Sequence, residues 1–491
     1  MDRQRNVRVQ EIYALLLIIL LSVLTRLPQL LSSNLLLDSD ECIVALMAKH
    51  MCRGEGFPVF FYGQSYGFSL VETAVISLFS LPAGMNDIAV KLAMLALWIT
   101  GVYFFYRSLK EVVTQYKWLP LLVTVLLICC PAWAVWSMKA RGGYLTAFMC
   151  STLITWLLLR QSKRGVHYNI AGALLIVTWF SQPLWLPGLV PLLAFAVLRE
   201  RKRRPWRYFA AGFVPMLIIF IPLKNQADNY WQPDVFRLKW PGAAQVDSMF
   251  RLLTDHLNGW YYLDEIFAAP AASRIAAGMM MAVLLIIVAA AIFFNVRCFR
   301  RQVLFTASVI SVVFTLSYAL FLSTEAPRYL LPLSGFALFA LALLLDKIGS
   351  GKVLLTVCMP AMAAGLCAMY SFHNYAFVPF TEADLQSSIR YLEQHHIRYV
   401  FSNDGLLEWQ LMYYSNERII CRESSLKDRL PEYVQYVNTA YRNKPQTTAV
   451  IDFYGDLPDM APGKVVMTGG KFAVALQPDM QLLRDMEFEM Q

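Results

Sequence analysis

The sequence has few of the groups that build nucleotide, metal or disulfide sites. The predicted inner loops carry no glycine-rich phosphate loop, which argues against an ATP-driven pump. Nine cysteines are scattered through the 491 residues without metal-ligand spacing or a disulfide framework. The one adjacent histidine pair, His395 and His396, would point apart on a helix. Cysteine and histidine therefore predict no metal site.

Charged residues are also scarce, at 16 % of the chain against 57 % hydrophobic residues, and the mean hydropathy is +0.47. Apolar runs of about 17 to 22 residues match the thickness of a bilayer core. The sequence therefore predicts an integral membrane protein. Residues 1–11 are basic but precede apolar sequence without a small-residue cleavage site, so we interpret 12–28 as a retained first span.

Basic loops on the cytoplasmic side explain the net charge of +9 without nucleic-acid binding. Six basic clusters occupy alternate connections. They can all be cytoplasmic only if one apolar segment before Arg107 does not cross, and residues 68–81, which are short and contain Glu72, are the weakest candidate. We assign them to a juxtamembrane or re-entrant helix, and a twelfth crossing stays open.

About eleven spans then place the amino terminus in the cytoplasm and the carboxyl terminus outside. The predicted spans are 12–29, 88–107, 118–136, 145–160, 167–183, 184–199, 207–223, 274–295, 303–322, 329–346 and 352–372. The predicted fold is a polytopic α-helical membrane module over residues 1–376, with juxtamembrane helices in its first outer loop, 30–87.

Residues 377–491 have the composition of a soluble α/β domain. Thr381 and Asp384 fit a capping box, and helical and strand patterns then alternate. Residues 464–467 and 472–476 are typical of a closing hairpin. We recognise no catalytic constellation here, so we predict a supporting or acceptor-guiding role for this domain.

An acidic cluster, Asp38-Ser39-Asp40-Glu41, directly follows the first span and should lie at the far membrane surface. A carboxylate that is partly shielded from water can accept a proton from a hydroxyl as that hydroxyl attacks. We predict Asp40 as this base. The alternative is a solvated turn in which Asp38 or Ser39 caps the following helix, and both interpretations can hold together.

Polar and aromatic groups follow in the first outer loop. Tyr62, Gln64 and Tyr66 suit sugar faces and lipid headgroups, although an interfacial aromatic belt explains the rings equally well. Glu72 lies in an apolar helix, where ionisable residues usually have partners, and Lys91 is a candidate partner.

Cations on the outer side form a third group. Lys139 and Arg141 lie in Lys-Ala-Arg-Gly-Gly-Tyr144, and Arg328 lies between Glu325 and Tyr329. Positive charge is disfavoured on this side, so we predict that a lipid phosphate or diphosphate binds here, because arginine can grip it with two parallel hydrogen bonds. The alternatives are an Arg328–Glu325 ion pair or contact with lipid headgroups. Gln182, at an outer helix end, could bond a sugar hydroxyl or simply end the helix.

Taken in this order, the motifs resemble those of GT-C class glycosyltransferases, the superfamily of protein O-mannosyltransferases and the lipid A aminoarabinose transferase. The resemblance covers the layout of residues 10–372, with motif matches at the segments quoted. It implies a polyprenyl-phosphate-linked sugar donor, an outer-face cavity, Asp40 as base and Glu41 as its acidic companion. It also implies that Arg141 and Arg328 contact the phosphate. Lys91 stands where relatives usually have arginine, which leaves its role open.

This chemistry needs a base for the incoming hydroxyl and cations for the leaving phosphate. A single displacement inverts the anomeric centre and requires no cofactor, although a divalent metal at the acidic pair stays open. The predicted site residues are Asp40 and Glu41 for catalysis, Lys91, Lys139, Arg141 and Arg328 for the donor phosphate, and Tyr62, Gln64, Tyr66, Glu72, Tyr144, Gln182, Glu325 and Tyr329 for the sugar or acceptor.

The sequence thus predicts a bacterial inner-membrane glycosyltransferase that acts at the periplasmic face on a glycan, lipid or protein acceptor, in contact with membrane lipids and not with nucleic acid. Rival interpretations are a flippase or transporter of lipid-linked sugars, a polysaccharide polymerase or ligase, and a noncatalytic assembly protein.

Overall fold

The computed structural model describes residues 2–32, 35–160, 164–200, 204–226, 303–322, 326–348, 378–426, 428–457 and 465–490, together with a few isolated positions. The helices of its amino-terminal part are α1 (Asp2–Leu30), α2 (Ser39–Arg53), α3 (Leu70–Ser80), α4 (Asp87–Val112), α5 (Leu119–Ile128), α6 (Pro131–Trp136), α7 (Tyr144–Leu159), α8 (Gly165–Ser181), α9 (Leu186–Arg199), α10 (Pro205–Gln226), α11 (Val303–Phe321) and α12 (Leu331–Ile348). Short 3₁₀ turns precede α9 and α12, at Pro183–Trp185 and Pro327–Leu330.

Five helical segments in the described residues are long and apolar enough to cross a membrane: Val9–Leu30, Asp87–Val112, Pro205–Asn225, Val303–Phe321 and Arg328–Lys347. Shorter apolar helices, among them α5 and α7, lie between them in the chain. These segments confirm a multi-pass helical membrane protein. The total of about eleven spans stays a prediction, because 274–295 and nearly all of 352–372 lie outside the described residues.

Helix α3 has 11 residues and is therefore about 16 Å long. A bilayer core is about 30 Å thick, so α3 is too short to cross it. This length agrees with the juxtamembrane assignment of residues 68–81.

The predicted span 118–136 is divided into two helices. Helix α5 ends at Ile128, and Pro131 takes the first position of α6, where its missing N–H has no helical partner to lose. Arg26 of α1 binds this break: it donates hydrogen bonds to the carbonyls of Ile128 at 2.9 Å and Trp133 at 3.1 Å. Its guanidinium also lies 4.1 Å from the ring centroid of Trp98.

The carboxyl-terminal part forms one five-stranded sheet in the order β2-β1-β3-β5-β4. Its elements are α13 (Glu382–Gln394), β1 (Tyr399–Phe401), α14 (Gly405–Tyr414), β2 (Ile420–Arg422), α15 (Pro431–Asn443), β3 (Thr448–Phe453), β4 (Val465–Thr468), β5 (Phe472–Leu476) and α16 (Met480–Asp485). Strand β1 runs parallel to β2 and β3, whereas β5 runs antiparallel to β3 and β4. The capping box at Thr381 and the closing hairpin form as predicted.

This α/β unit sits on the first outer loop. Helix α14 packs against α2, and α2 also packs against α3. The Tyr414 hydroxyl donates to Asp87 at 2.7 Å and accepts from the Leu37 N–H at 2.8 Å, while the Gln410 amide donates to the Leu37 carbonyl at 2.8 Å. The acidic start of α2 is therefore enclosed between the membrane helices and the α/β unit.

Candidate functional site

Helix α2 begins with a reciprocal capping box. The Asp38 side chain accepts a hydrogen bond from the Glu41 N–H at 2.9 Å, and the Glu41 side chain accepts one from the Asp38 N–H at 3.2 Å. This arrangement satisfies two backbone donors that a helix start leaves without partners. The capping role predicted for Asp38 is confirmed, and the Asp40 side chain takes no part in the cap.

Two cations from the segment between α6 and α7 meet this acidic turn. Lys139 Nζ lies 2.5 Å from Asp38 Oδ2, and Arg141 Nη2 lies 2.5 Å from Asp40 Oδ2. Burial alone would raise the pKa of Asp38, but Lys139 and Arg141 outweigh it and hold that pKa at about 2. The Asp40 side chain is 17 % exposed, so it is shielded by its neighbours yet open to a small reactant.

The segment that carries these cations has an unusual backbone. Gly142 and Gly143 have φ of 54° and 86°, a region that glycine adopts at low cost. A Cβ on Gly143 would come within 2.9 Å of the Ser181 Cα and of the Phe68 carbonyl oxygen. The buried Gln182 donates to the Gly142 carbonyl at 3.1 Å. Gln182 thus fixes the loop that presents Arg141, and its predicted bond to a sugar stays a prediction.

Glu41 and Lys91 form a second, fully enclosed pair. Lys91 Nζ lies 2.5 Å from Glu41 Oε1, and neither side chain has exposed surface. Burial raises the pKa of Glu41, and the Lys91 charge opposes that rise. This geometry favours a structural role for both residues over contact with a donor phosphate or an acceptor.

Glu72 is also completely buried, but it contacts backbone rather than the expected Lys91. Its carboxylate accepts a hydrogen bond from the Leu145 N–H at 3.2 Å and faces the N–H groups of Gly143 and Thr146 at the start of α7. Negative charge is favourable at a helix amino terminus. Glu72 therefore ties α3 to α7, and the partner of Lys91 is Glu41.

The aromatic residues predicted to hold sugar divide into two groups. Tyr66 is within electrostatic range of Asp40, Tyr144 and Tyr329, so three of the predicted rings lie in the same region as Asp40. Tyr62 instead hydrogen-bonds His50 Nδ1 at 2.7 Å.

Gln64 was also predicted to contact the sugar or acceptor. Gln64 is buried, and its backbone N–H donates to the Phe61 carbonyl at 3.0 Å.

Arg328 lies in the short turn before α12. Its guanidinium donates to the Tyr329 hydroxyl at 3.4 Å and lies 5.1 Å from that ring's centroid. Tyr329 is within electrostatic range of Tyr66, which places this turn in the same region as Asp40. Glu325 lies outside the described residues, so an Arg328–Glu325 ion pair stays a prediction.

Sequence reasoning missed Arg429, which the α/β unit brings to the site. Arg429 Nη2 lies 3.8 Å from Asp40 Oδ1, and its guanidinium lies 4.9 Å from the ring centroid of Phe61. The residue is in the connection between β2 and α15, where no motif distinguishes it from a surface arginine. The domain was predicted to have a supporting or acceptor-guiding role, and Arg429 brings it into contact with Asp40.

Cations from three segments surround the acidic turn. Lys139, Arg141 and Arg429 face Asp38 and Asp40, while Glu41 pairs with Lys91. A shielded turn with several cations and one partly exposed carboxylate suits an anionic ligand together with a group that gives up a proton.

Solved structures of other proteins share the fold of this chain. No protein-family model matches the sequence, and no curated protein matches it. The crystal structure of ArnT from Cupriavidus metallidurans bound to undecaprenyl phosphate is similar, with a TM-score of 0.60 and 12 % identity over 97 % of this chain and 98 % of that chain.

Two further structures share the architecture. The apo oligosaccharyltransferase of Archaeoglobus fulgidus has a TM-score of 0.54 and 11 % identity, over 90 % of this chain and 69 % of that chain. The arabinofuranosyltransferase AftD from Mycobacteria has a TM-score of 0.55 and 13 % identity, over 96 % of this chain and 40 % of that chain. These likenesses confirm the GT-C fold that the motifs predicted.

Proposed function

We propose that this protein is a glycosyltransferase that moves one sugar from a polyprenyl-phosphate-linked donor onto an acceptor at the periplasmic face of a bacterial inner membrane. The observation that carries the proposal is the contact of Asp40 with Arg141 in a shielded turn beside the membrane. A general base and a phosphate-binding cation are the two groups that this reaction needs. The fold shared with a structure that binds undecaprenyl phosphate supports a lipid-phosphate donor.

In the proposed reaction Asp40 takes the proton of the acceptor hydroxyl as its oxygen attacks the anomeric carbon. The bond from that carbon to the phosphate oxygen breaks, and its electron pair leaves with the lipid phosphate. Arg141, Lys139 and Arg328 stabilise the charge that develops on this oxygen. One displacement occurs, so the anomeric configuration inverts.

The ion pairs of the structure suggest how donor binding prepares the base. Arg141 contacts both Asp40 at 2.5 Å and Asp38 at 3.9 Å. A lipid phosphate competes for the same guanidinium, and arginine prefers the bidentate geometry that a phosphate offers. When Arg141 turns to the phosphate, Asp40 Oδ2 becomes available to the acceptor hydroxyl. Deprotonation therefore depends on the presence of the donor.

The predicted orientation supports an outer active site. Basic residues concentrate in the loops assigned to the cytoplasm, whereas α2, α3 and the α/β unit belong to segments predicted on the other side, and α2 packs against both α3 and α14.

Transfer by the purified protein tests the proposal. A panel of radiolabelled polyprenyl-phosphate sugars is incubated with envelope acceptors, and the anomeric configuration of the product is determined by NMR. We expect transfer from one donor class with inversion. Absence of transfer from every donor would refute the function, and retention would refute the single displacement.

Arg328→Ala tests the phosphate site separately. We expect a donor KM raised about tenfold or more, because a charge-assisted contact contributes about 1.5 to 3 kcal/mol. Arg390→Ala is a suitable control, since Arg390 is exposed on α13. An unchanged donor KM in Arg328→Ala would remove Arg328 from the site.

A further inference from the structure

We infer that Arg429 is a positioning residue for Asp40, so that the carboxyl-terminal α/β unit supplies part of the transfer site. This inference rests on the proposed function, which it deepens. It starts from the two guanidinium groups around Asp40. Arg141 holds Oδ2 at 2.5 Å, and Arg429 approaches Oδ1 at 3.8 Å. The two arginines come from opposite parts of the chain, one from the membrane module and one from the α/β unit.

Two neighbouring residues of the first outer loop, Phe61 and Tyr62, hold the Arg429 guanidinium. Its guanidinium lies 4.9 Å from the Phe61 ring centroid and donates to the Tyr62 carbonyl at 3.4 Å. A cation over an aromatic face is attracted by the ring electrons. Phe61 and Tyr62 belong to the first outer loop, so this loop orients an arginine of the other domain toward Asp40.

The Arg429 backbone is fixed as well. Gly63 has φ of +69°, and a Cβ placed there would come within 2.7 Å of the Arg429 Cα. Close approach of two backbones is a reason for glycine at such a position. The Arg429 N–H donates to its neighbour Asp428, which is buried and faces the fully buried Glu408 of α14. The connection that carries Arg429 is therefore seated between Gly63 and the body of the α/β unit.

This placement complements the donor-dependent step. Once Arg141 turns to the lipid phosphate, Asp40 would lose its nearest partner. Arg429 then holds Oδ1 and leaves Oδ2 directed at the acceptor hydroxyl. Misplacement of a reacting group by about 1 Å can cost about 100-fold in rate, so loss of this contact should reduce turnover more than donor binding.

Other charged groups around Asp40 do not replace Arg429. Lys139 is engaged with Asp38 at 2.5 Å. Tyr66 is close enough to influence both Asp40 and Arg429, but its hydroxyl is neutral at physiological pH. Arg141 and Arg429 are the two cations seen to pair with Asp40 in the described part of the chain.

The experiment compares the full-length wild type with Arg429→Ala, Arg429→Lys and Gly63→Ala. Steady-state transfer gives kcat and the donor KM. We expect Arg429→Ala to lower kcat about tenfold or more with a donor KM within about twofold, and Arg429→Lys to recover part of kcat. Gly63→Ala should also lower kcat, because it displaces the Arg429 backbone. Arg418→Ala, which removes an exposed arginine of the same domain paired with Glu393, should match the wild type.

A second readout does not depend on transfer. Water-soluble carbodiimide with an amine nucleophile labels accessible carboxyl groups, and mass spectrometry reports labelling at Asp40. We expect severalfold more labelling in Arg429→Ala than in the wild type, with recovery in Arg429→Lys. A wild type that transfers no sugar would refute the proposed function, while the labelling would still decide the contact.

Two results would overturn the role of Arg429. One is Arg429→Ala with wild-type kcat and wild-type Asp40 labelling. The other is a raised donor KM with unchanged kcat, which would make Arg429 a donor ligand instead. A general loss of stability would lower activity in Arg429→Lys to the same extent as in Arg429→Ala, and that outcome would also contradict a positioning role.

Discussion

The ion pairs at the start of α2 differ in how much of their side chains is exposed. Asp38–Lys139 and Asp40–Arg141 are partly open, whereas neither Glu41 nor Lys91 has exposed surface. A buried pair is costly to form, and removal of one partner leaves an uncompensated charge. The open pairs can therefore exchange partners with a ligand, while Glu41–Lys91 fixes α2 on α4.

Loss of Lys91 should strongly destabilise the protein. We expect Lys91→Ala to lower the free energy of unfolding by about 3 to 5 kcal/mol, because it removes the cation that pairs with the buried Glu41 carboxylate. The double variant Glu41→Gln with Lys91→Met should recover much of this loss. Thermal unfolding in detergent measures both.

Lys110→Ala serves as the matched control, because Lys110 pairs with Glu11 at a partly exposed site; a loss below about 1 kcal/mol is expected. A stable Lys91→Ala variant with weakened donor affinity would instead support the phosphate role predicted from the motifs.

Acid should destabilise the site through Asp38. Its pKa is about 2 in the folded protein against about 3.9 in an unfolded chain. A lowered carboxyl pKa stabilises the fold above the unfolded value, and that stabilisation is lost as pH falls from about 4 toward 2. Asp38→Asn keeps a good helix cap but removes the charge, so its melting temperature should fall less over this range.

Melting temperatures measured from about pH 6 to about pH 2, taken as a difference between wild type and Asp38→Asn, check this prediction. Equal acid sensitivity of the two proteins would show that the Lys139 contact does not lower the carboxyl pKa.

At the scale of elements, Arg26 holds the break between α5 and α6, the helices that precede Lys139 and Arg141. It lies within α1 with 1 % exposure and donates to the Ile128 carbonyl at the end of α5 and to the Trp133 carbonyl in α6. Arg26→Lys keeps the charge but cannot reach the same set of acceptors from a fixed planar fork. We expect a loss of about 2 to 4 kcal/mol in stability and a higher donor KM.

Arg107→Lys is the control for Arg26→Lys, because Arg107 on α4 is partly exposed, donates to the Tyr103 hydroxyl at 3.0 Å and lies 3.8 Å from Glu11. Unfolding and donor affinity are measured together. A stable Arg26→Lys variant with normal donor KM would show that the break between α5 and α6 does not depend on Arg26.

Elements with strong local patterns were predictable from sequence. The cap at Asp38, the short α3, and the alternation of the α/β unit follow from capping residues, run lengths and periodicity. The break after Ile128 was not predicted, because an apolar run with one proline is compatible with a continuous kinked span. The role of Arg26 was not predicted either, because two of its acceptors are main-chain carbonyls of α5 and α6.

The candidate site was predictable only in part. Asp40 could be singled out because it lies in an acidic cluster directly after the first span. Arg141 could be singled out because it is a cation on the side of the membrane where positive charge is disfavoured. Their mutual contact depends on tertiary structure. Arg429 carries no local signal in the sequence, and neither does the pairing of Lys91 with Glu41 instead of Glu72. Both contacts arise where elements that are distant in the chain pack together.

At the scale of the whole molecule, Glu417 joins the α/β unit to α2. Its carboxylate lies 2.5 Å from Lys49, 2.7 Å from His50 and 3.0 Å from Arg53. Burial would raise the pKa of Glu417, but hydrogen bonds from His50 and Lys49 and their charges hold it well below its usual range. This cluster stabilises the docked domain that carries Arg429.

Glu417→Gln should weaken the docking. We expect a loss of roughly 2 kcal/mol in stability, because charge-assisted hydrogen bonds are lost, together with lower kcat, since Arg429 is held less firmly. Glu393→Gln, whose partner Arg418 is 64 % exposed, should change stability by no more than about 0.5 kcal/mol. Calorimetry and transfer assays on the two variants distinguish docking from general surface charge.

As the proposed general base, Asp40 accepts the proton of the incoming hydroxyl. The single-turnover transfer rate of Asp40→Asn with saturating lipid-phosphate sugar tests this role most directly. We expect a rate lower by at least about 100-fold, with donor binding as tight as in the wild type or tighter, because no carboxylate competes for Arg141. Transfer at the wild-type rate by Asp40→Asn would refute the role of Asp40 as base.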